Sequence, residues 1–336
     1  NLGVALAQDN RFAEAEGCYR EALARVPART DFLGQLALAL REQGKREEAR
    51  AVYREWARLD AHAAEPRLGE AMLALPIAPR DRAEADDAPA RFGEALEELA
   101  RWLDADPSHP AALGSAVGAH QPFHLAYRAG NHAALLGRYG DLAAHPFPPP
   151  ELPAQAGRAR IRLAVVANQV RRHSVWDIVL RGLLAHLDRS RFEVVLYHTG
   201  SGEDAETAAA RAMVDAWRES REFAGFDGLL EKLREDAPDA ILYPELGMDP
   251  VSFRLAAHRL APLQMASWGH PVTTGLPSID LYLSGELLEP EHAAAHYREK
   301  LVRLPGTGCC TTPPEIAAEP LADDVAARLD ACPGPR

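Results

Sequence analysis

The feature that most limits the possible folds is an alternation of short apolar runs with amphipathic segments after residue 158. IRLAVVA, at 161–167, is a continuous run of small and branched apolar residues, which indicates a strand buried on both faces. Further strands are predicted at FEVVLYHT, DAILYP, PLQMAS, IDLYLS and LVRLPG, and one intervening helix is predicted over all of 203–220. Strands that alternate with helices predict a doubly wound parallel sheet, whose ligands bind outside the carboxyl ends of the strands.

A second feature is a repeat of about 34 residues at the start of the chain. Ala15 and Tyr19 recur as Ala49 and Tyr53, and Leu6 recurs as a leucine at position 40. Small residues let paired helices approach closely, and the aromatic ring fills the gap between neighbouring repeats. The spacing is typical of tetratricopeptide repeats, and an unrelated helical hairpin is the alternative interpretation.

These patterns divide the chain into five predicted parts. The repeats lead into a region with helical periodicity, and the prolines of HPFPPPELPAQAG then break that periodicity before the sheet begins. The predicted parts are tetratricopeptide repeats at 1–62, a helical extension at 63–145, a Pro-rich linker at 146–158, an α/β lobe at 159–315 and a tail at 316–336.

Charge and cysteine content narrow the class of protein. The 336 residues carry a formal net charge of −12, which argues against a nucleic-acid partner or an anionic membrane surface. No apolar run is long enough to span a bilayer. Cys18, Cys309, Cys310 and Cys332 are scattered without a paired CxxC spacing, as in proteins of a reducing compartment, so a cytoplasmic location is predicted.

Polar residues follow the first predicted strand in the segment ANQVRRHSVWD. Ser174 can cap the helix that comes next, and the free N–H groups at the start of such a helix suit a phosphate or a polarised oxygen. His173 lies beside that start, where it can act as a base or as a hydrogen-bond donor. A histidine that merely caps the helix or lies on the surface is the alternative.

A second group of candidate residues lies in SWGHPVTTG, directly after the predicted strand PLQMAS, so residues 268–275 are expected at the carboxyl edge of the sheet. Threonine hydroxyls can donate to sugar or phosphate oxygens, and proline and glycine can fix a backbone path that exposes N–H groups. His270 can equally be a turn residue, and Trp268 can equally belong to the core. The candidate binding residues here are Trp268, His270, Pro271, Thr273, Thr274 and Gly275.

The two segments together carry a family resemblance. RIRLAVVANQVRRHSVWDIVL and LAPLQMASWGHPVTTGLPSIDLYLSGE resemble the catalytic region of glycosyltransferase family 41, which includes the O-GlcNAc transferases, the SPINDLY proteins and bacterial members. His173 matches the family's histidine at the reacting centre, which has been proposed as a catalytic base. The family's tryptophan and its G-Y-P-x-T-(S/T)-G motif match Trp268 and residues 269–275, with His270 in place of tyrosine.

The resemblance implies both architecture and chemistry. The family places tetratricopeptide repeats before a two-lobed GT-B unit, so the sheet is expected to be a Rossmann-like amino-terminal lobe. The implied activity is inverting, metal-independent transfer of N-acetylglucosamine from a UDP-sugar to Ser or Thr of a polypeptide held in the repeat groove, without a cofactor. Bacterial N-glucosyltransferases of a related branch favour G-H-P-x-T-T, so the donor sugar and an oxygen or nitrogen acceptor stay open.

Two further expectations concern what the chain lacks. After LVRLPG too few residues follow for a second sheet domain, so the carboxyl-terminal lobe is expected to be absent and this chain alone inactive. The rival interpretation is a non-catalytic interaction module, repeats joined to a degenerate lobe. No metal site is predicted: Asp104-Ala105-Asp106 is set aside because it lies at a predicted helix end and not after a strand, and the pair His292 and His296 because no third ligand is in view. The sequence does not predict an oligomeric state.

Overall fold

The structure is a computed structural model that describes residues 2–152 and 157–311. Its first half is helical and its second half is built on one sheet. The helices before the sheet are α1 (Leu2–Gln8), α2 (Phe12–Arg25), α3 (Thr30–Glu42), α4 (Arg46–Leu59), α5 (Glu65–Met72), α6 (Arg82–Ala105), α7 (His109–Ala116), a 3-10 turn (Phe123–Tyr127) and α8 (Ala133–Ala144).

The repeat helices pack by fitting aromatic rings against glycines. A methyl group added to Gly69 on α5 would lie 2.4 Å from the ring of Tyr53, and one added to Gly3 would lie 2.8 Å from the ring of Tyr19. Ala15 and Ala49 are fully buried at the helix contacts. The small and aromatic positions of the 34-residue period therefore do what their spacing predicts: they let the helices stack closely.

The second half forms a seven-stranded parallel sheet in the order β3-β2-β1-β4-β5-β6-β7. Its strands are β1 (Ile161–Ala167), β2 (Phe192–His198), β3 (Ala216–Glu219), β4 (Ala240–Tyr243), β5 (Leu263–Ser267), β6 (Leu281–Gly285) and β7 (Lys300–Leu304). Its helices are a π-helix (Val175–Leu180) continued by α9 (Arg181–His186), then α10 (Ala205–Ala212), α11 (Gly225–Asp236) and α12 (Pro250–Ala256), with 3-10 turns at Ser220–Glu222 and Ala293–His296. The predicted helical region followed by a doubly wound parallel sheet is confirmed.

One sequence-based prediction about the sheet is wrong. The helix predicted over 203–220 ends at Ala212, and Ala216–Glu219 forms strand β3 at the edge of the sheet. Asp215 turns the chain into the sheet: its backbone N–H donates to the carbonyl of Val194, and its carboxylate accepts the N–H of Val194 at 2.7 Å. A tertiary contact with β2 thus overrides the local helical pattern.

The helical extension and the sheet share one hydrophobic core. Leu99 on α6, Tyr139 on α8, Phe253 on α12 and Ile241 on β4 belong to the same buried cluster, whereas the repeats have a separate core. The five predicted domain ranges stay predictions, and 316–336 lies outside the described residues. Among the helices of the described residues, none is long and apolar enough to cross a bilayer.

Candidate functional site

The loop after β1 is held in place by two buried carboxylates that follow β4. Glu245 accepts the backbone N–H groups of Asn168 and Gln169, the latter at 3.0 Å. Asp249 accepts the side-chain amide of Asn168 at 3.1 Å and the hydroxyl of Thr199 at 3.0 Å. Loops from the carboxyl ends of β1, β2 and β4 are thereby joined at one edge of the sheet.

His173 lies half-buried at the far end of the β1 loop. Its Nδ1 accepts the backbone N–H of Val175 at 3.2 Å. A neutral imidazole that accepts at Nδ1 carries its proton on Nε2, so in this arrangement Nε2 is a hydrogen-bond donor. To act as a base through Nδ1, the ring would first have to give up its contact with Val175.

Ser174 does not make the predicted capping bond. It precedes the π-helix in a helical conformation, is exposed, and its hydroxyl accepts no backbone N–H. The physical reason is that Ser174 itself has helical backbone angles, with φ of −55° and ψ of −36°, whereas a capping residue is typically extended. The hydroxyl of Ser174 is left facing outward, and its predicted role in substrate binding stays a prediction.

The start of the second loop meets the first loop. The N–H of Gly269 donates to the carbonyl of Pro244 at 3.0 Å. A methyl group added to Gly269 would lie 2.4 Å from that carbonyl oxygen and 3.3 Å from a side-chain carbon of Val175. Only glycine fits this three-way contact, and the structure therefore brings the predicted His173 loop against the start of the predicted Trp268 loop.

The end of the second loop departs from the carboxyl edge. Thr273 donates its hydroxyl to Glu299 at 2.6 Å, and Thr274 donates both its hydroxyl and its N–H, the latter at 2.8 Å, to the same carboxylate. Glu299 immediately precedes β7, whose first residue, Lys300, pairs with Leu281 at the amino end of β6. The expectation that all of 268–275 lies at the carboxyl edge is wrong, because this loop must return along the sheet to start β6.

Gly275 serves packing in the described structure. It has a φ of +71°, and a methyl group there would lie 2.0 Å from the carbonyl oxygen of Leu136 on α8. Arg298 reinforces this contact by donating to the carbonyl of Gly275 at 3.0 Å and to the carboxylate of Asp141 at 2.6 Å. Pro271 is exposed and lines a cavity of about 200 Å³.

His270 is buried between the sheet and the helical extension. Its ring stacks on Phe123 with the centroids 5.1 Å apart, and its carbonyl accepts the hydroxyl of Tyr282 at 2.7 Å. Burial lowers the pKa of His270 to about 4, so the imidazole is neutral near pH 7. Phe123 and Gly247, which both contact the ring, line a cavity of about 380 Å³ between the helical extension and the β4 loop.

Several buried polar atoms at the carboxyl edge have no hydrogen-bond partner within the described residues. They lie at the ends of three of the four consecutive strands β2, β1, β4 and β5: Nε2 of His198 at the end of β2, Oε2 of Glu245 after β4 and Nε1 of Trp268 after β5. Buried polar groups in folded proteins are nearly always paired, and exceptions cluster where a ligand or water completes the set. These atoms make the carboxyl edge, rather than the threonine end of the loop, the candidate site.

Sequence reasoning missed Glu245, Asp249, His198 and Glu299. A usable signal existed for two of them, since Glu245 and Asp249 follow a strand in PELGMDP, at the edge where ligands bind. Burial raises the pKa of Glu245 to about 7, against the opposing effect of the N–H groups of Gln169 and Asn168. A carboxyl group that changes charge near neutral pH is typical of functional sites.

Comparison with known proteins supports the resemblance. A tetratricopeptide repeat family model matches residues 1–26. The chain is 34% identical over 149 residues to a tomato protein named probable UDP-N-acetylglucosamine--peptide N-acetylglucosaminyltransferase SPINDLY, and 32% identical over 149 residues to the Arabidopsis thaliana protein of that name. These alignments cover 42% of this chain but only 15% and 16% of the relatives, so the chain matches a small part of their length.

A solved structure shows the same fold. The O-GlcNAc transferase of Thermobaculum terrenum, in its K341M mutant, superposes with a TM-score of 0.59 at 22% identity, covering 96% of this chain and 59% of that one. The chain is therefore similar in sequence, over 149 residues, to proteins named as SPINDLY N-acetylglucosaminyltransferases and similar in fold to an O-GlcNAc transferase, and its residues 1–26 match a tetratricopeptide repeat.

Proposed function

We propose that the protein containing these residues transfers N-acetylglucosamine from UDP-N-acetylglucosamine to Ser or Thr hydroxyls of a polypeptide. The observation that carries the proposal is the contact of the His173 loop, through Val175, with Gly269 at an edge with unpartnered buried polar atoms. The relatives named as peptide N-acetylglucosaminyltransferases support the choice of donor and acceptor.

In the proposed reaction the acceptor hydroxyl oxygen bonds to the anomeric carbon while the bond from that carbon to the diphosphate breaks, inverting the configuration. The hydroxyl proton passes to water or to a nearby base, and the diphosphate leaves with the electron pair. With Nδ1 engaged by Val175, His173 fits the role of an Nε2–H donor that orients an oxygen better than that of the direct base. No metal or cofactor takes part in the proposed step.

The acceptor polypeptide is proposed to lie along the repeats and to reach the sheet near Phe123 and Gly247. These residues line the cavity of about 380 Å³ between the helical extension and the β4 loop. Stacked helical repeats form extended surfaces suited to polypeptides. A cytoplasmic location is proposed with this function, consistent with the free thiols of Cys18, Cys309 and Cys310.

The test is transfer of labelled N-acetylglucosamine by the purified full-length protein to a peptide library with Ser, Thr or Asn as the only acceptor. We expect labelling of Ser and Thr peptides, and a drop of about 100-fold or more for His173→Ala. His186→Ala, an exposed histidine at the end of α9, is the matched control and should keep full activity. Equal activity of both variants would contradict the role of His173, and labelling of Asn alone would contradict the acceptor.

Residues 1–336 by themselves are proposed to be inactive, and turnover by this purified chain would contradict that. The alternative function, a non-catalytic interaction module, draws support from Thr273 and Thr274, whose hydroxyls are committed to Glu299 instead of a ligand. It predicts that the full-length protein binds peptides without labelling any of them.

A further inference from the structure

Two histidines and an aspartate meet at the corner where the repeats join the helical extension. One ligand atom from each of His62, Asp106 and His109 lies within 4.8 Å of the other two. His62 lies in the loop between α4 and α5, Asp106 directly follows α6 and His109 begins α7. We infer that these three side chains form a zinc site that fastens the end of the repeats to the helical extension.

His109 is oriented as a metal ligand. Its Nδ1 lies 2.6 Å from the carbonyl oxygen of Trp102, to which it donates, and its ring stacks on the indole of Trp102 at 3.9 Å between centroids. With the proton fixed on Nδ1, the lone pair of Nε2 is free for a cation. Histidines that bind metals are commonly held this way, by a second hydrogen bond to a carbonyl or carboxylate.

The other two ligands converge on the same point. Oδ1 of Asp106 accepts the N–H of Ser108 at 2.8 Å and its hydroxyl at 2.7 Å, which fixes the carboxylate while Oδ2 has no partner among the described residues. The ring centroid of His62 lies 5.3 Å from that of His109. The hydroxyl of Ser108 also lies 3.3 Å from Nδ1 of His62, so one serine positions both side chains.

The donor set selects zinc among the common divalent cations. Two imidazole nitrogens and one carboxylate oxygen suit zinc, whereas magnesium prefers oxygen ligands and water. Ligand atoms around a tetrahedral zinc lie about 3.3 Å apart, given bonds of about 2.0 Å, so three atoms within 4.8 Å of one another must approach by at most about 1.5 Å. His62 is exposed on a loop and can supply that movement, and water fills the fourth position.

Two nearby positive features oppose the cation only weakly. His109 lies at the start of α7, where the helix dipole disfavours a positive charge but fades within the first turn. The guanidinium of Arg67 is engaged elsewhere, over the indole ring of Trp102 at 4.9 Å and on the carbonyl of Ala61 at 3.2 Å. The site is distinct from the carboxyl edge of the sheet, and the proposed sugar transfer does not depend on it.

The site is tested by calorimetric titration of the whole chain with zinc chloride. We expect one equivalent of zinc to bind, and the affinity to fall at least about tenfold in His62→Ala and Asp106→Asn. Both variants change side chains that are exposed or partly exposed, so the fold is kept. The matched control is His292→Ala, which removes an exposed histidine from a pair whose rings lie 5.9 Å apart. Equal affinity in wild type and His62→Ala, or a loss confined to His292→Ala, would overturn the site.

The fastening role has its own readout. A cation that binds only the folded chain raises the melting temperature, so zinc should raise it in wild type and in His292→Ala but not in His62→Ala. Magnesium at the same concentration should have no effect. Zinc binding through His62 without a rise in melting temperature would overturn the fastening role, and an equal effect of magnesium would overturn the assignment of zinc.

Discussion

Two buried glutamates, Glu299 and Glu245, differ in how completely their carboxylates are hydrogen-bonded. Glu299 is fully used: both of its oxygens accept from Thr273 and Thr274. Glu245 is equally buried, yet only Oε1 accepts hydrogen bonds, from the N–H groups of Asn168 and Gln169, while Oε2 has no partner within the described residues. Glu299 therefore forms a clamp on Thr273 and Thr274, whereas Glu245 keeps one carboxylate oxygen without a partner among the described residues.

The difference separates stability from function. A buried carboxylate whose two oxygens both accept hydrogen bonds stabilises the loop that it binds. A buried carboxylate with an unused oxygen costs free energy, and folded proteins keep such groups mainly where a ligand, water or proton completes them. We therefore propose that the end of the 268–275 loop serves packing, and that its start forms the candidate site together with the β1 and β4 loops.

The largest effect is expected from Glu299→Ala. Removing the carboxylate leaves two buried hydroxyls and one buried N–H without an acceptor, and we expect the free energy of unfolding to fall by about 4 kcal/mol. Urea denaturation measures the change. Glu291→Ala, an exposed glutamate on the same segment, is the control and should change little. A loss below about 1 kcal/mol for Glu299→Ala would show that the clamp does not hold the loop.

A pH-dependent effect is expected from Glu245→Gln. Burial raises the pKa of Glu245 from 4.5 to about 7, with Asp249 adding to the rise and Arg171 opposing it. Between these values the folded protein keeps a proton that the unfolded chain has released, so the contribution of Glu245 to stability falls as pH rises. The loss is about 3 kcal/mol by pH 8, and glutamine, which does not ionise, escapes it.

The measurement is the free energy of unfolding of wild type and Glu245→Gln at pH 5 and pH 8. The two proteins should be similar at pH 5, and the variant should be the more stable at pH 8. Glu291→Gln is the matched control and should follow wild type at both values. A difference between wild type and Glu245→Gln that does not change with pH would contradict the raised pKa.

Thr273→Val separates the two roles considered for this residue. Valine keeps the shape but loses the donation to Glu299 and the acceptor for the N–H of Arg298, so stability should fall by about 1–2 kcal/mol. In the full-length protein the KM for the sugar donor should change by less than about twofold. A rise in KM without a loss of stability would instead indicate that the hydroxyl of Thr273 binds the substrate.

The smallest effect is expected from Ser174→Ala. Because the hydroxyl of Ser174 caps nothing, the free energy of unfolding should change by less than about 0.5 kcal/mol. Asp249→Ala is the comparison, since the carboxylate of Asp249 caps α12 by accepting the N–H of Ser252 at 2.7 Å and should cost at least about 1 kcal/mol. Equal losses in the two variants would mean that Ser174 acts as a cap after all.

The sequence predicts the fold better than it predicts the site. The strands at 161–167 and 240–243 can be recognised from the sequence because parallel strands buried on both faces consist mainly of apolar residues. Strand β3 gives no such signal, since it lies at the sheet edge and depends on the contact between Asp215 and Val194. Glu299 acts on Thr274 from 25 residues away, so local spacing does not link the two.

The shared core of the helical extension and the sheet has a consequence for substrate choice. A close-packed interior allows little rotation of the helical extension against the sheet. Helices α6 and α8 therefore form a rigid connection on the path from the repeats to the carboxyl edge. If the repeats hold an acceptor polypeptide, this connection fixes the length of acceptor chain between the segment bound by the repeats and the residue presented to His173. The protein would then select the residue that it modifies by the distance of that residue from the docking segment as well as by the neighbouring residues.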